Sequence, residues 1–379
     1  MKRGGGLQHP LLRTTGWILG FGVILLLAAT WRPQPGSRES RESLLSDRDG
    51  ALQELVVHWT PEAISVAVPA WRDLFRALPA SVTVHVACPD VAAFDELRRH
   101  LGPVAPTLVA HPLGHPLTCW SRDRWLALSD PAGAVALVLP EQEDAAAAWP
   151  GRAGDGLAGI ELARRIPGIA GGKRGWQFDG GDVVADERTA FVTERMLKRN
   201  LGKMGATPAE VGDRLGALLR RQVVWLTDGP DHHACMVMMV AGRGRVVVGD
   251  PSLAVKILGD RVHAPDLVPC GDDFTAATQA RFDAVARACA NAGYAVTRIP
   301  LVPGRDGRAF LAWVNGMIDV RDGTSTFFMP SFPHAPKDLE MAAMAVWEKL
   351  GFRVIKADCD GAFNHGGSLR CLVNVLRRA

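Results

Sequence analysis

The chain has 379 residues, of which 47% are apolar and 22% charged, a balance typical of globular proteins rather than disordered ones. Its net charge of +3 is spread over the chain, which argues against a nucleic-acid-binding protein with a concentrated basic face. Seven widely scattered cysteines show neither zinc-finger spacing nor a disulfide framework, and the odd number leaves at least one without an intrachain partner.

Three basic residues precede a charge-free, largely apolar run from Thr14 to Trp31. This order is typical of a secretory signal peptide or a signal anchor, and 18 residues is near the lower limit for a membrane-spanning helix. We therefore expect an extracytoplasmic protein that is either anchored by a single N-terminal helix or secreted. The expected division is a signal or anchor helix over 1–31, a polar linker over 32–50 and a folded domain over 51–379.

The folded domain repeats a helix, a glycine and a strand several times. The sequence predicts helices over 92–101, 207–220, 274–292 and 337–350, each followed by a strand. The second of these begins with Thr207 as N-cap and Pro208 in the first turn, and Glu210 is expected to complete a capping box. Alternating helices and strands predict an α/β fold of similar units, whose loops can converge on one site.

Four short motifs supply candidate chemistry in this order along the chain. They are Trp120-Ser121-Arg122-Asp123, Asp179-Gly180-Gly181-Asp182, the pair His232-His233, and Gly366-Gly367 followed by Arg370-Cys371. A thiolate is a good nucleophile, a histidine carries protons near neutral pH, and carboxylates pair with cations. Taken alone, each motif is more typical of a structural element, such as a turn, an ion pair or a buried structural cysteine, than of a site. No familiar ligand spacing accompanies the histidines, so we predict neither a metal nor a cofactor.

The order of these motifs resembles the guanidine-modifying superfamily, most closely agmatine deiminases and bacterial peptidylarginine deiminases. The resemblance extends through Phe310 to Met317 and covers about residues 50 to 375. It implies a five-bladed α/β propeller, or pentein, of pseudo-symmetric ββαβ units. It also implies a hydrolase of linear amidines that attacks a guanidinium carbon, releases ammonia and leaves a ureido product.

The resemblance assigns roles to particular residues. Cys371 is implied as the nucleophile, His232 as the acid and base, and Asp179 as a group that orients the histidine or touches the substrate. Substrate binding is implied for Asp123, Trp120, Arg122 and Gly367.

The family's H-x-D motif has no aspartate here, because Ala234 follows His232 at that spacing and Cys235 follows His233. We favour His232, since a strand over 234–240 then keeps the family's register. The expected partner is a small guanidino compound or an arginyl peptide, with the membrane contacted only through the N-terminal segment. An amidinotransferase on the same scaffold and a catalytically inactive binding protein are the alternatives.

Overall fold

A computed structural model describes residues 42–141, 150–263 and 265–379. The predicted signal or anchor helix over 1–31 lies outside the described residues. No helix in the described ranges has both the length and the apolarity needed to cross a membrane.

The α-helices lie mostly between strands and cover one face of a sheet. Their bounds are α1 Ile64–Ala77, α2 Val91–Leu101, α3 Pro150–Arg165, α4 Glu194–Asn200, α5 Pro208–Leu219, α6 Ala234–Val237, α7 Pro251–Leu258, α8 Ala276–Asn291, α9 Lys337–Lys349 and α10 Asp360–Phe363.

The strands are short, and most are fully or largely buried. Their bounds are β1 Ser43–Leu44, β2 Leu52–His58, β3 Thr83–Cys88, β4 Thr107–Pro112, β5 Leu126–Ser129, β6 Val135–Leu139, β7 Ile169–Lys173, β8 Val183–Ala185, β9 Thr189–Thr193, β10 Gln222–Leu226, β11 Met238–Gly242, β12 Arg245–Asp250, β13 Ala295–Pro300, β14 Val302–Pro303, β15 Phe310–Leu311, β16 Met317–Arg321, β17 Thr324–Ser331, β18 Arg353–Asp358 and β19 Asn374–Arg378.

One pairing pattern recurs in five sheets of the described ranges. In each sheet a first strand pairs antiparallel with a second, which pairs parallel with a third after a helical crossover. The sets are β5–β6–β7, β8–β9–β10, β11–β12–β13, β16–β17–β18 and β19–β2–β3. Because parallel neighbours need a long crossover, each set has a helix between its two parallel strands, and helices also pack on neighbouring sheets, as α1 does on β18. The predicted α/β class is confirmed, and the unit is ββαβ.

The fifth set joins the two ends of the domain. Strand β19, close to the C-terminus, pairs antiparallel with β2, with Asn374 opposite Val56. Strand β2 then pairs parallel with β3, and β3 with β4. The last described strand therefore completes the unit that the first residues of the domain begin.

Large aromatic side chains fill the space between helices and sheets. On α1, a buried stripe includes Trp71, Leu74 and Phe75, which recur at helical spacing. On α9, Trp347 is fully buried and stacks on Phe327 of β17 with a ring separation of 3.7 Å. These side chains belong to one hydrophobic core that includes residues of several of the sets.

The predicted helices are confirmed, with ends that differ by one or two residues. Thr207 caps α5 through a hydrogen bond from the Glu210 N–H, as predicted. The Glu210 carboxylate, however, accepts from the Ala206 N–H and not from Thr207, so the predicted capping box does not close on the cap residue. Helix α5 ends at Arg220 in the left-handed conformation.

The second half of the predicted polar linker belongs to the fold. Ser43 and Leu44 form β1 against β5, and Asp47 is buried. Its carboxylate pairs with Arg370 and lies 3.7 Å from Nη2 of Arg122. The prediction of a linker up to residue 50 is therefore wrong for these residues, because distant arginines, invisible in the local sequence, compensate the buried charge.

Candidate active site

The predicted site segments occupy equivalent places in the repeat. Turns at Ser121–Arg124, Gly180–Asp182, Ala234–Val237 and Leu369–Leu372 each come immediately before the first strand of a unit. The turn around Asn315 precedes β16 in the same way. Contacts between these turns bring residues far apart in sequence into one cluster. The predicted convergence of loops is confirmed.

Cys371 lies in the turn before β19 and is almost fully buried. Two glycines shape the approach to it. Gly366 has a φ of +80°, which favours glycine, and a Cβ on Gly367 would lie 2.4 Å from Cζ3 of Trp120 and 3.2 Å from Cβ of Cys371. The Trp120 ring therefore rests on the backbone beside the thiol, so three of the predicted site residues are together.

Asn315 holds the Cys371 turn in place, a role the sequence reading missed. Its Oδ1 accepts from the Ser368 hydroxyl at 2.8 Å and from the Arg370 N–H at 3.0 Å. Its Nδ2 donates to the Cys235 carbonyl at 2.9 Å and lies 3.7 Å from Sγ of Cys371. The fully buried Asn315 amide thus connects two turns of the site. The sequence feature that could have indicated this role was the Asn315-Gly316 dipeptide before a strand.

The Asp179-Gly-Gly-Asp182 turn approaches two other turns closely. A Cβ on Gly180 would lie 2.1 Å from the Arg122 carbonyl, and one on Gly181 would lie 2.7 Å from Nδ1 of His233. The turn itself is closed by the Asp179 N–H, which donates to Oδ2 of Asp182 at 3.0 Å. Glycines here are required by these close contacts, and they place the Asp179 carboxylate beside the histidine.

The structure places His233, and not the predicted His232, in the cluster. Nε2 of His233 lies 3.8 Å from Oδ1 of Asp123 and 3.7 Å from Oδ2 of Asp179. Its ligand nitrogen and Sγ of Cys371 lie within 4.8 Å of each other. Nε2 of His232 is instead 2.9 Å from the Arg308 carbonyl, and its Nδ1 accepts from the His233 N–H at 2.7 Å.

The reason for this difference is local. The prediction took residues 234–240 as a continuous strand, in which side chains alternate between faces. The residues from Ala234 to Val237 form a helical turn with His233 as its N-cap, and β11 begins only at Met238. The strand register over 234–240 that favoured His232 is therefore absent.

The two histidines have opposite electrostatic surroundings. Burial disfavours a charged His233, but the carboxylates of Asp123, Asp179 and Asp182 outweigh it and raise the pKa of His233 to about 9. Burial and the neighbouring charge of His233 lower the pKa of His232 to about 3. At neutral pH His233 is an imidazolium, able to donate a proton, whereas His232 is neutral.

Four arginines surround the Asp179 carboxylate. The closest is Arg195, whose Nη2 donates to Oδ2 at 2.9 Å; Arg199 and Arg124 lie 3.4 and 3.5 Å away, and Arg152 lies 3.8 Å away. Burial opposes ionisation, but the His233 hydrogen bond and charge and these arginines hold the pKa of Asp179 well below its usual range. Asp179 is therefore an ionised carboxylate at neutral pH, and its negative charge favours the protonated form of His233.

Asp123 has one oxygen engaged and one free of hydrogen bonds. Oδ2 accepts from Arg152 at 3.4 Å, while the buried Oδ1 has no hydrogen-bond partner in the described ranges. Nδ1 of His233 is also buried without such a partner there. Buried polar atoms normally find partners, so Oδ1 of Asp123 is an acceptor that a cationic ligand would satisfy.

Two predicted residues are engaged elsewhere. The Arg122 guanidinium donates to the Val183 carbonyl at 2.9 Å and lies 3.7 Å from Asp47. The Arg370 guanidinium pairs with Asp47 and donates to the Val373 carbonyl, so it does not act on the Cys371 thiol as an adjacent charge. Both arginines stabilise the fold under the site, and the sequence could not show this because Asp47 lies in the predicted linker.

Cys235 occupies the position where the family motif has an aspartate. It is fully buried, and its sulfur lies within 4.8 Å of Sγ of Cys371 and of a His233 nitrogen. The hydrogen bond to Cys371, followed by burial, raises the pKa of Cys235 well above its usual range. Cys235 therefore remains a thiol at neutral pH, with its sulfur close to that of Cys371.

No protein-family model and no curated protein matches this sequence. Solved structures do match. The agmatine deiminase of C. jejuni superposes with a TM-score of 0.64 at 13% identity, covering 89% of this chain and 96% of that one. The agmatine deiminase of Enterococcus faecalis superposes with a TM-score of 0.61 at 15% identity, covering 92% of this chain and 99% of that one.

The chain has the fold of the agmatine deiminases. The predicted resemblance to guanidine-modifying enzymes is thus confirmed for the fold over nearly the whole described domain. Identities this low carry no residue-level information, so function has to be argued from the site itself.

Proposed function

We propose that this chain is a cysteine-dependent hydrolase of a guanidino compound. The observation that carries the proposal is the cluster of a buried thiol, an imidazolium and a carboxylate oxygen that accepts no hydrogen bond in the described ranges. A guanidinium is flat, cationic and rich in N–H donors, and it pairs well with carboxylate. Bound to Oδ1 of Asp123, it brings its central carbon toward Cys371.

The first half of the reaction uses both members of the Cys371–His233 pair. The thiolate of Cys371 forms a bond to the guanidinium carbon, which becomes tetrahedral. The imidazolium of His233 then gives its proton to one nitrogen, the C–N bond breaks and ammonia leaves. The products of this half are an S-alkylthiouronium on Cys371 and a neutral His233.

The second half regenerates the enzyme. Neutral His233 takes a proton from water as the oxygen bonds to the thiouronium carbon. Collapse of the tetrahedral intermediate breaks the C–S bond and returns the thiolate, while the hydroxyl proton passes to solvent or to the released ammonia and the ureido product leaves. Asp179 keeps His233 oriented and supports its charge in both halves. His233 replaces His232 in the assignment, while Cys371, Asp123 and Asp179 keep their proposed roles, with Trp120 and Gly367 shaping the site.

The proposed substrate is a guanidino compound of the agmatine or arginyl-peptide kind. Cys235 offers no negative charge beside the nucleophile, so Asp123 alone pairs with the guanidinium. A neutral, apolar sulfur also leaves room for a substituted nitrogen, since no buried carboxylate is left unpaired when an N–H is replaced by a methyl group. We therefore include methylated guanidines in the substrate class.

The remaining elements of the proposal concern arrangement and location. The five ββαβ sets are proposed to be the blades of a propeller with the cluster at its centre. The charge-free run Thr14 to Trp31 is proposed to export the domain or anchor it to the membrane.

The test is formation of a ureido product by the full chain from agmatine, arginine, methylarginines and arginyl peptides. We expect turnover with at least one of them, and loss of turnover in Cys371→Ser. The control is Cys289→Ser, which removes another buried free thiol outside the cluster. Amidino transfer to an added amine would instead indicate an amidinotransferase. Binding without turnover across the panel, in a folded chain with a free Cys371 thiol, would indicate an inactive binding protein.

A further inference from the structure

Three ligand groups for a thiophilic metal lie together at the site. One nitrogen of His233 and the sulfurs of Cys235 and Cys371 all lie within 4.8 Å of one another. Tetrahedral zinc takes thiolate and imidazole ligands at about 2.0 to 2.3 Å, so its ligand atoms are roughly 3.5 to 3.8 Å apart. The upper limit of 4.8 Å on the observed separations is about 1 Å more than this spacing.

The two sulfurs are not held by strong partners. Sγ of Cys371 has contacts of 3.7 and 3.8 Å with the Asn315 amide and of 3.8 Å with Sδ of Met236. These are weak contacts, and no disulfide closes between the cysteines, which are both free. A metal ion that binds these sulfurs would therefore displace only weak contacts.

A second, harder group of ligands overlaps with the first through His233. It consists of Asp123, Asp179 and His233, again within 4.8 Å of one another. Asp179, however, already accepts from Arg195 at 2.9 Å, and Arg199 lies at 3.4 Å, so its oxygens are occupied. The sulfur-rich group is the one whose ligand atoms are available.

We propose that His233, Cys235 and Cys371 form a binding site for Zn²⁺, with a fourth position open to water. Two thiolates and a neutral imidazole balance the double positive charge, so the bound ion leaves no net charge in a buried site. Binding displaces the thiol protons and the imidazolium proton to solvent. Cys235 is the residue that makes the site sulfur-rich, because it stands where the resembled family has a carboxylate.

The metal site stands on ligand geometry and not on the proposed function. If the proposed function holds as well, the ion binds the nucleophile and the proton carrier at once, and the loaded chain is inactive. Zinc would then be a reversible inhibitor of this chain.

The experiment measures metal binding without substrate, on the reduced, metal-free full chain. Zn²⁺ affinity is measured by competition with a chromophoric chelator, and Co²⁺ is added as a spectroscopic probe of sulfur ligation. We expect one ion per chain and a near-ultraviolet charge-transfer band that reports two thiolates. Absence of stoichiometric binding, or a cobalt spectrum without sulfur ligation, would overturn the proposal.

The variants separate the ligands. Loss of a group that only orients a ligand costs about 10- to 100-fold in affinity, so loss of a ligand should cost about 100-fold or more. We expect this for Cys235→Ala and for the isosteric Cys235→Ser, with the charge-transfer band halved. Cys289→Ala is the control, because that buried thiol has a similar contact, 3.9 Å from Sδ of Met238, outside the cluster. Unchanged zinc affinity in a folded Cys235 variant would refute the site.

Activity is recorded separately, so the two proposals fail in different ways. A chain that hydrolyses guanidines but binds no zinc refutes only the metal site. A chain that binds zinc through the three ligands but has no turnover refutes only the proposed function.

Discussion

Neighbouring histidines with opposite charge states provide the sharpest test of the site. We expect His233→Asn to lose turnover by about 10²- to 10⁴-fold, the usual contribution of a positioned acid and base. The matched change His232→Asn should leave the rate within about tenfold, because that side chain bonds to the Arg308 carbonyl and the His233 backbone N–H and not to any reacting side chain. Ureido-product formation by both variants, measured from pH 5 to 10, makes the comparison.

The charge on His233 also has a consequence for stability. Its pKa rises from 6.5 to about 9, a difference of about 2.5 units, which corresponds to about 3 kcal/mol. Because the folded pKa lies above the unfolded one, this stabilisation is fully present below pH 6.5 and is lost as the pH rises through 9. In the wild-type chain we expect the free energy of unfolding to fall as the pH rises through 9. In His233→Asn we expect this fall to be absent.

The sign is reversed for His232. Its folded pKa of about 3 lies below 6.5, so the unfolded chain binds a proton that the folded chain does not, and stability falls from pH 6.5 toward 3. Denaturant unfolding at several pH values and NMR titration of the imidazole signals measure both effects. A rate that depends on His232 and not on His233, or a His233 signal that titrates near 6.5, would refute the reasoning.

Three further changes test the surroundings of the site. Gly367→Ala should reduce turnover strongly, since its Cβ would lie 2.4 Å from Trp120. Rates and the unfolding temperature are compared with those of a Gly172→Ala control, whose Cβ meets no neighbour within 4 Å and whose φ, like that of Gly367, is not positive. Cys235→Asp should lower KM for an unsubstituted guanidine by about tenfold or more, through a charge-assisted hydrogen bond, and should disfavour methylated substrates; equal effects on both would contradict this. Deletion of residues 14–31 should release the chain from the membrane or prevent its export, which cell fractionation measures; an unchanged distribution would contradict the proposed anchor.

The helices, the turns and the motifs that the turns carry depend on local chemistry, and the sequence predicted them well. Thr207, Pro208 and the apolar spacing after them are enough to start a helix, because caps and amphipathic stripes involve neighbours within one or two turns. The glycine pair before Cys371 similarly indicated a close backbone approach, and the structure gives it a partner in Trp120. Such features depend on residues near one another in the chain.

Other features depend on residues that are distant in sequence. The charge of Asp47 is tolerated in the interior only because Arg370 and Arg122 reach it, so local polarity wrongly predicted a linker there.

The choice between His232 and His233 was decided by the helical turn at residues 234–237, whose four side chains are all buried. The neighbourhood of Cys235 and Cys371 likewise exists only because the turns between units converge. Short-range chemistry thus determined the helices, the strands and the candidate residues. Only the folded chain decided which side chains share a buried space. In the interior, the charge state of a side chain and its bonding partners depend on every element packed around it.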